Sequence, residues 1–146
     1  LRMSYDLDYE PTEEELIEHL KTKGITNTDA HDTTFYDAFP NVYNAVMTLA
    51  SVVKAEQIGR VLITRLEAGG HIGAHKDFGA YHDFYDRFHL VIAGKGCHFR
   101  CGNTIVEMLP GEIWWFYNND EHEVWNDTDA DRIHVVIDFK LKGNKL

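Results

Sequence analysis

From about residue 59 onwards, the chain is a succession of short apolar runs separated by Gly, Asn and Asp roughly every ten residues. Such runs, rich in Val, Ile, Trp and Phe, indicate β-strands, and their regular spacing is typical of an all-β sandwich or barrel. Gly102-Asn103 and the segment 109–111 predict tight turns. The predicted strands cover residues 60–66, 88–93, 98–101, 104–108, 112–117, 122–126 and 133–139.

The preceding residues have a helical period. Thr12 and Glu15 form a capping box for a first helix that Gly24 can end. A second helix is predicted after Pro40 and as far as Gly59, because apolar residues recur there at spacings of four, three and four: Val42, Val46, Leu49 and Val53. We therefore expect one mainly β domain over residues 1–146, with a helical support in 1–58 and a jelly-roll-like β core in 59–140.

Composition limits the partners of this chain. It has 146 residues with 14 basic and 24 acidic side chains, a net charge of −10, which disfavours nucleic acid and anionic membranes. No apolar run approaches the roughly 18 residues of a membrane span. Two cysteines are too few for a disulfide framework. We expect a cytoplasmic protein without a membrane partner, and its oligomeric state stays open.

Two of the nine histidines, together with one aspartate, form a candidate metal site. His75 and Asp77 are two residues apart, so in an extended chain their side chains lie on one face. His122 stands at the start of a predicted strand much further along the chain. Two histidines and one carboxylate form the facial ligand set of non-haem Fe(II), which leaves three coordination positions open. The alternative for His75 and Asp77 is a solvated pair in a loop.

Arg132 stands at the start of the last predicted strand, among alternating β-branched residues. If its guanidinium points inward, only an anionic partner makes its burial tolerable. A dicarboxylate that chelates the metal at one end and meets Arg132 at the other would satisfy both charges. The alternative is a rim arginine paired with Asp131 or Asp129.

Four segments resemble the aspartyl/asparaginyl β-hydroxylase family: 87–92, 100–103, the run 121–127 (Glu-His-Glu-Val-Trp-Asn-Asp) followed by Arg132, and 136–139. This family belongs to the Fe(II)/2-oxoglutarate-dependent dioxygenases, and the resemblance covers roughly residues 60–140. It implies a double-stranded β-helix fold. It also implies an oxidoreductase that uses Fe(II), 2-oxoglutarate and O2 to hydroxylate a substrate, with succinate and CO2 as products.

The resemblance also assigns roles to individual residues. His75 and His122 are similar to the family's metal ligands, and Arg132 resembles the arginine that holds the distal carboxylate of 2-oxoglutarate. Arg87 and His89, two apart on a predicted strand, resemble further co-substrate contacts. Without the resemblance, His89 would be a core histidine and Arg87 a surface partner of Asp86. No catalytic residue beyond the metal ligands is predicted.

Asp77 is a departure, because the well-known β-hydroxylases look to have glycine there and two metal histidines alone. Relatives similar to the cis-proline hydroxylases keep the full triad and act on free amino acids. The insert 78–86 is rich in Tyr, Phe and Asp. We expect an amino-acid, peptide or protein substrate, and the alternative is a non-catalytic cupin-like β-sandwich that binds a metal or another ligand. The candidate substrate contacts are Tyr81, Phe84, Tyr85 and Trp114.

Overall fold

The computed structural model describes residues 39–143. The first predicted helix lies outside these residues. Within them, two helices and eight strands follow one another along the chain. They are α1 (Pro40–Val53), β1 (Ala55–Leu66), β2 (His71–His75), α2 (Ala80–Phe84), β3 (Asp86–Ala93), β4 (His98–Cys101), β5 (Thr104–Val106), β6 (Ile113–Trp115), β7 (His122–Trp125) and β8 (Arg132–Leu141).

The strands form two four-stranded antiparallel sheets. The main sheet has the order β1-β8-β3-β6 and the small sheet the order β2-β7-β4-β5. Apart from the β4-β5 hairpin, successive strands therefore alternate between the two sheets. This winding is the double-stranded β-helix, so the predicted fold class is confirmed. No helix in the described part of the chain is long and apolar enough to cross a membrane.

Alternation along β8 separates a structural face from a functional one. Its residues Val135, Ile137 and Phe139 pack with Phe88 and with the buried face of α1 in an outer core. The intervening residues have the opposite orientation and share it with Arg87, His89 and Val91 of β3, their partners in register. Val91 packs with residues of the small sheet, so this face looks into the space between the sheets, which we call the lumen. The lumen-facing residues of β8 are Arg132, His134, Val136 and Asp138.

All seven predicted strands are present, with ends that differ by a few residues, and the Gly102-Asn103 turn joins β4 to β5 as predicted. The second predicted helix is also present, but it ends at Val53 rather than at Gly59. Lys54 adopts the left-handed conformation, and its N–H bonds to the carbonyls of Ala50 and Ser51, which terminates the helix. The β core accordingly begins at Ala55.

Gly59 instead lies inside β1 and leaves room for an aromatic cluster. A Cβ at this position would lie 2.7 Å from Tyr81 Oη and 2.9 Å from Tyr85 Cε1. Two elements were not predicted, β2 and α2, and neither contains a buried residue. Without a buried face, these segments have no apolar periodicity for the sequence to reveal.

The outer core predicts a large cost for truncating Phe139, which is fully buried and contacts the Phe88 ring at a centroid distance of 5.6 Å. We expect Phe139→Ala to lower the free energy of unfolding by about 3–5 kcal/mol, since it removes a large side chain and leaves a cavity. The control is Val52→Ala on the exposed face of α1, with an expected change within about 0.5 kcal/mol. Urea denaturation measures both, and equal values for the two variants would contradict the assigned core.

Candidate functional site

The three predicted metal ligands come together at one end of the lumen. His75 ends β2, His122 begins β7, and the two residues are partners in register. Asp77 follows two residues after β2, with Oδ1 3.8 Å from His75 Nε2. One ligand atom from each residue lies within 4.8 Å of the other two. The arrangement fits a metal ion held by one face, because all three groups can point to a common centre.

Hydrogen bonds fix both imidazoles in the form that binds metals. His75 Nδ1 lies 2.8 Å from the Gly73 carbonyl oxygen, and His122 Nδ1 lies 2.8 Å from that of Asp120. A carbonyl oxygen only accepts, so each Nδ1 donates its hydrogen and each Nε2 keeps a free lone pair. Backbone contacts of this kind orient the histidine ligands of protein metal sites.

His122 is also kept neutral. Burial lowers the pKa of its imidazole, and the adjacent His75 and Arg87 contribute in the same direction. The bond to the Asp120 carbonyl and the charge of Asp77 act against this shift without reversing it. Since a metal displaces protons from its ligands, a lowered pKa favours metal binding at neutral pH.

Asp77 presents one carboxylate oxygen while the protein holds the other. Oδ2 accepts hydrogen bonds from Arg87 Nη1 at 2.8 Å and from Asn118 Nδ2 at 3.4 Å. Burial alone would raise the pKa of Asp77, but Arg87, His82, His122 and the Asn118 bond together lower it. The side chain is thus an oriented carboxylate whose Oδ1 faces the histidines.

Arg87 bridges two carboxylates across the lumen. Besides Asp77, it binds Asp138 through Nε at 2.8 Å and through Nη2 at 3.1 Å. Burial would lower the pKa of Arg87, but the bonds and charges of Asp138 and Asp77 raise it. The suggested surface pair with Asp86 is absent, because Asp86 points to the other face of β3 and accepts a bond from Trp115 Nε1. Contact between Arg87 and a co-substrate stays a prediction.

Arg132 is a buried cation. Only 6% of the residue is exposed, and no carboxylate among residues 39–143 lies within ion-pair distance of its guanidinium. The rim pair suggested as an alternative does not form, since Asp131 binds Arg65 at 2.6 Å. Burial lowers the pKa of Arg132 to about 10. A buried guanidinium without a counter-ion is unfavourable, so this end of the lumen suits an anionic ligand.

A series of rings lies between the metal ligands and Arg132. The His122 ring contacts Phe116 at 5.0 Å, Phe116 contacts His89 at 5.2 Å, and His89 contacts His134 at 5.7 Å. Burial, with the charges around it, holds the pKa of His89 well below its usual range. Its Nε2 has no hydrogen-bond partner within the described residues. The predicted co-substrate residues His89 and Arg132 thus lie in one lumen with the candidate metal ligands.

The suggested substrate contacts are dispersed. Tyr81 lies beside the carboxylate network, since Arg60 stacks 3.7 Å above its ring and also approaches Asp138 at 3.5 Å. Phe84 instead lies against Lys140, 4.8 Å from its ammonium. Trp114 packs against the apolar cluster that includes Val91 and Val124, and its Nε1 donates a hydrogen bond to Glu112 at 2.8 Å.

Four polar residues of the site were missed by sequence reasoning: Arg60, Asn118, His134 and Asp138. Two of them carried a signal, because His134 and Asp138 share the even-numbered face of β8 with Arg132. Asn118 lies in a turn, where no periodicity marks an inward side chain.

Comparisons with known proteins agree with this geometry. A family model described as Aspartyl/Asparaginyl beta-hydroxylase matches residues 10–141. The human aspartyl/asparaginyl beta-hydroxylase is 37% identical over 49 residues, which is 34% of this chain and 6% of that protein. The ornithine lipid ester-linked acyl 2-hydroxylase of Rhizobium tropici is 27% identical over 139 residues, covering 88% of this chain and 47% of that protein. The chain thus spans less than half of the length of these curated relatives.

Two solved structures are also similar. The first, a predicted oxalate decarboxylase from Thermotoga maritima, has a TM-score of 0.47 and 17% identity, covering 57% of this chain and 68% of that chain. The second, a cupin domain from Bordetella pertussis, has a TM-score of 0.45 and 21% identity, covering 58% of this chain and 83% of that chain.

The Arg87 bridge predicts strong coupling between its members. We expect Arg87→Met to lower the free energy of unfolding by about 3 kcal/mol, because it removes the main charge partner of two largely buried carboxylates, Asp77 and Asp138. Adding Asp138→Asn should recover part of this loss in a double-mutant cycle. Arg65→Met, which breaks an exposed and solvent-screened pair, is the control with a much smaller expected cost. Urea denaturation at pH 7 gives all four values, and a similar loss in both arginine variants would contradict the coupling.

We expect the contribution of His134 to the free energy of unfolding to be lost in acid. Burial, and then the charge of Arg132, lowers its pKa to about 3, whereas the unfolded chain binds this proton below about pH 6.5. Its contribution is therefore complete above pH 6.5 and declines as the pH falls towards 3. We expect His134→Asn to reduce the slope of unfolding free energy against pH by up to ~1.4 kcal/mol per unit between pH 6 and 4.

The measurement is urea denaturation at a series of pH values, with His98→Asn on the exposed face of β4 as the control. The control should follow the wild-type curve. An unchanged slope in His134→Asn would show that the imidazole is protonated in the folded protein.

Proposed function

The chain belongs to the aspartyl/asparaginyl β-hydroxylase family, and we propose that it is an Fe(II)/2-oxoglutarate-dependent dioxygenase that hydroxylates an amino-acid or peptidyl substrate. One observation carries the proposal. Two imidazoles with free Nε2 atoms and one oriented carboxylate converge at one end of a lumen, and a buried arginine with no counter-ion in the described part of the chain lies in the same lumen.

The metal would be held by His75, Asp77 and His122. This donor set suits Fe(II), since imidazole and carboxylate are the ligands of the facial triad in non-haem iron oxygenases. When bound, iron and 2-oxoglutarate would supply O2 activation and the insertion of one oxygen atom into a C–H bond, with succinate and CO2 as the other products.

Charge supports a dicarboxylate as co-substrate. His89 and His134 have lowered pKa values and remain neutral, so Arg132 brings a positive charge that no carboxylate among residues 39–143 offsets. A ligand with a chelating keto acid at one end and a second carboxylate at the other matches both ends of the lumen. Between them, Phe99, Phe116 and Val124 form an apolar wall that excludes water from the ligand.

Substrate would enter at the open edges of the two sheets. Leu62 and Ile72 lie on the edge strands β1 and β2, in register with the lumen-facing Val136 and Val124. Both side chains are nevertheless exposed. Beside this edge, the side chain of Arg60 is 45% exposed, and its guanidinium lies above the Tyr81 ring. We call this open edge the mouth of the lumen. An exposed arginine there supports a substrate with a carboxylate, as amino acids and acidic peptides have.

A second candidate substrate is a lipid acyl chain. It is favoured by the exposed apolar pair Leu62 and Ile72 and by the relative from Rhizobium tropici, whose name gives an ester-linked acyl group as its target. Both candidates require the same metal and co-substrate, so they differ only in what occupies the mouth.

The test is turnover by protein loaded with Fe(II) under ascorbate. We expect the wild type to convert 2-oxoglutarate to succinate and to add 16 mass units to one member of a panel of amino acids, acidic peptides and acyl lipids. His122→Ala should lose metal binding and succinate formation, because the triad loses a ligand. Arg132→Met should keep the metal but weaken 2-oxoglutarate binding about 100-fold, since an unpaired charge remains.

His98→Asn, away from the lumen, is the control and should match the wild type. The proposal fails if the wild-type protein binds neither Fe(II) nor 2-oxoglutarate. Tight four-coordinate zinc without 2-oxoglutarate binding would instead support the non-catalytic cupin-like alternative.

A further inference from the structure

We propose that His134 is a second binding residue for the distal carboxylate of 2-oxoglutarate, donating a hydrogen bond from Nε2 beside Arg132. The inference rests on the proposed function and extends it to a residue for which the sequence indicated no partner. Three features of the lumen support it: the protonation of the His134 ring, the burial of its Nε2, and the groups that surround it.

The contacts of His134 fix which ring nitrogen carries the proton. Arg132 Nη2 lies 3.1 Å from His134 Nδ1. A guanidinium only donates, so Nδ1 of the neutral imidazole must accept, and the hydrogen is on Nε2. His89 Nδ1 lies 3.4 Å from the same His134 nitrogen. Because that nitrogen carries no hydrogen, His89 Nδ1 is the donor in this contact. His134 therefore holds Arg132 through one nitrogen and offers an N–H from the other.

This N–H is buried without an acceptor. His134 has no exposed surface, and its Nε2 finds no hydrogen-bond partner among residues 39–143. Buried donors in native proteins are nearly always paired, so an unpaired one in a lumen marks a place for a ligand atom. By the same reasoning His89 Nε2 carries no hydrogen, and it is a buried acceptor that also has no partner in the described part of the chain.

The surrounding charges favour a carboxylate as the ligand group. Arg132 and His134 are two residues apart on one face of β8, and the guanidinium contacts the imidazole directly. The two lumen carboxylates described above, Asp77 and Asp138, are both bound by Arg87. A carboxylate has two oxygens with about four lone-pair sites, so it can accept from a guanidinium and an imidazole at once.

A purely structural role for His134 makes a different prediction. If the ring only positions Arg132, an acceptor at the place of Nδ1 is sufficient, and Asn supplies one through Oδ1. If the Nε2 hydrogen binds the ligand, Asn fails, whereas the longer Gln side chain can place an N–H near the Nε2 position. The pair His134→Asn and His134→Gln therefore separates the two roles.

The experiment measures ligand affinity by calorimetry on Mn(II)-loaded protein without oxygen. One ligand is 2-oxoglutarate, and the other is 2-oxopentanoate, which has a methyl group in place of the distal carboxylate. We expect His134→Asn to weaken 2-oxoglutarate about 10- to 100-fold, as for a lost hydrogen bond to a charged group, and to change 2-oxopentanoate less than about twofold. His134→Gln should recover most of the 2-oxoglutarate affinity.

The inference is overturned if His134→Asn leaves 2-oxoglutarate binding unchanged, if it weakens both keto acids alike, or if Gln is no better than Asn. Failure of the proposed function would look different, because wild-type protein would then not bind 2-oxoglutarate at all. His98→Asn and the Mn(II) affinity of each variant serve as controls for folding.

A second measurement on the wild type does not depend on the variants. In Zn(II)-loaded protein, the NMR signal of the His134 Nε2 hydrogen should move downfield when 2-oxoglutarate is added and stay in place with 2-oxopentanoate. An equal response to both ligands, or none to 2-oxoglutarate, would contradict the proposed contact.

Discussion

The ion pairs of Arg87 with Asp77 and Asp138 determine how charge is distributed in the lumen. They connect a residue beyond the end of an edge strand to the centre of the main sheet, and they hold one oxygen of Asp77 so that the other faces the histidines. Arg87 binds both of these carboxylates, and Arg132 has no carboxylate partner within residues 39–143. The site thus has an anionic end that suits a metal ion and a cationic end at Arg132. A ligand that chelates the metal through one end and carries a carboxylate at the other would satisfy the charges at both ends.

Much of this fold could be predicted from the sequence, because most strands have one buried face and alternate accordingly. The alternation that placed Arg132 inward also applies to His134 and Asp138, which nevertheless were missed since neither belongs to a familiar short motif. The proximity of His75 and Asp77 was predicted for the wrong physical reason. The strand ends at His75, and Asp77 is held there by Arg87 and by a backbone bond to Asn118 rather than by extended geometry. Such contacts between distant segments leave no local pattern.

Family membership and the individual sequence give different information about this protein. The family supports hydroxylation as the chemistry. The structure adds the polar groups of Asp77 and His134, both of which point into the lumen. One offers an anionic oxygen near the histidines and the other a neutral N–H near the arginine. Together they make the binding surface more selective for charge at each end than histidines and one arginine would be.

His75 and His122 differ in the stability of the strands that carry them. β7 lies inside the small sheet between two neighbours, whereas β2 is at its edge, pairs only with β7 and buries no side chain. Local opening of β2 therefore requires little apolar surface to be exposed. An ion that joins the two imidazoles would cross-link the edge to the interior strand, so its occupancy and the closure of this edge are thermodynamically linked. Amide hydrogen exchange along β2 would then report on ion concentration, although the proposed ligands are side chains alone.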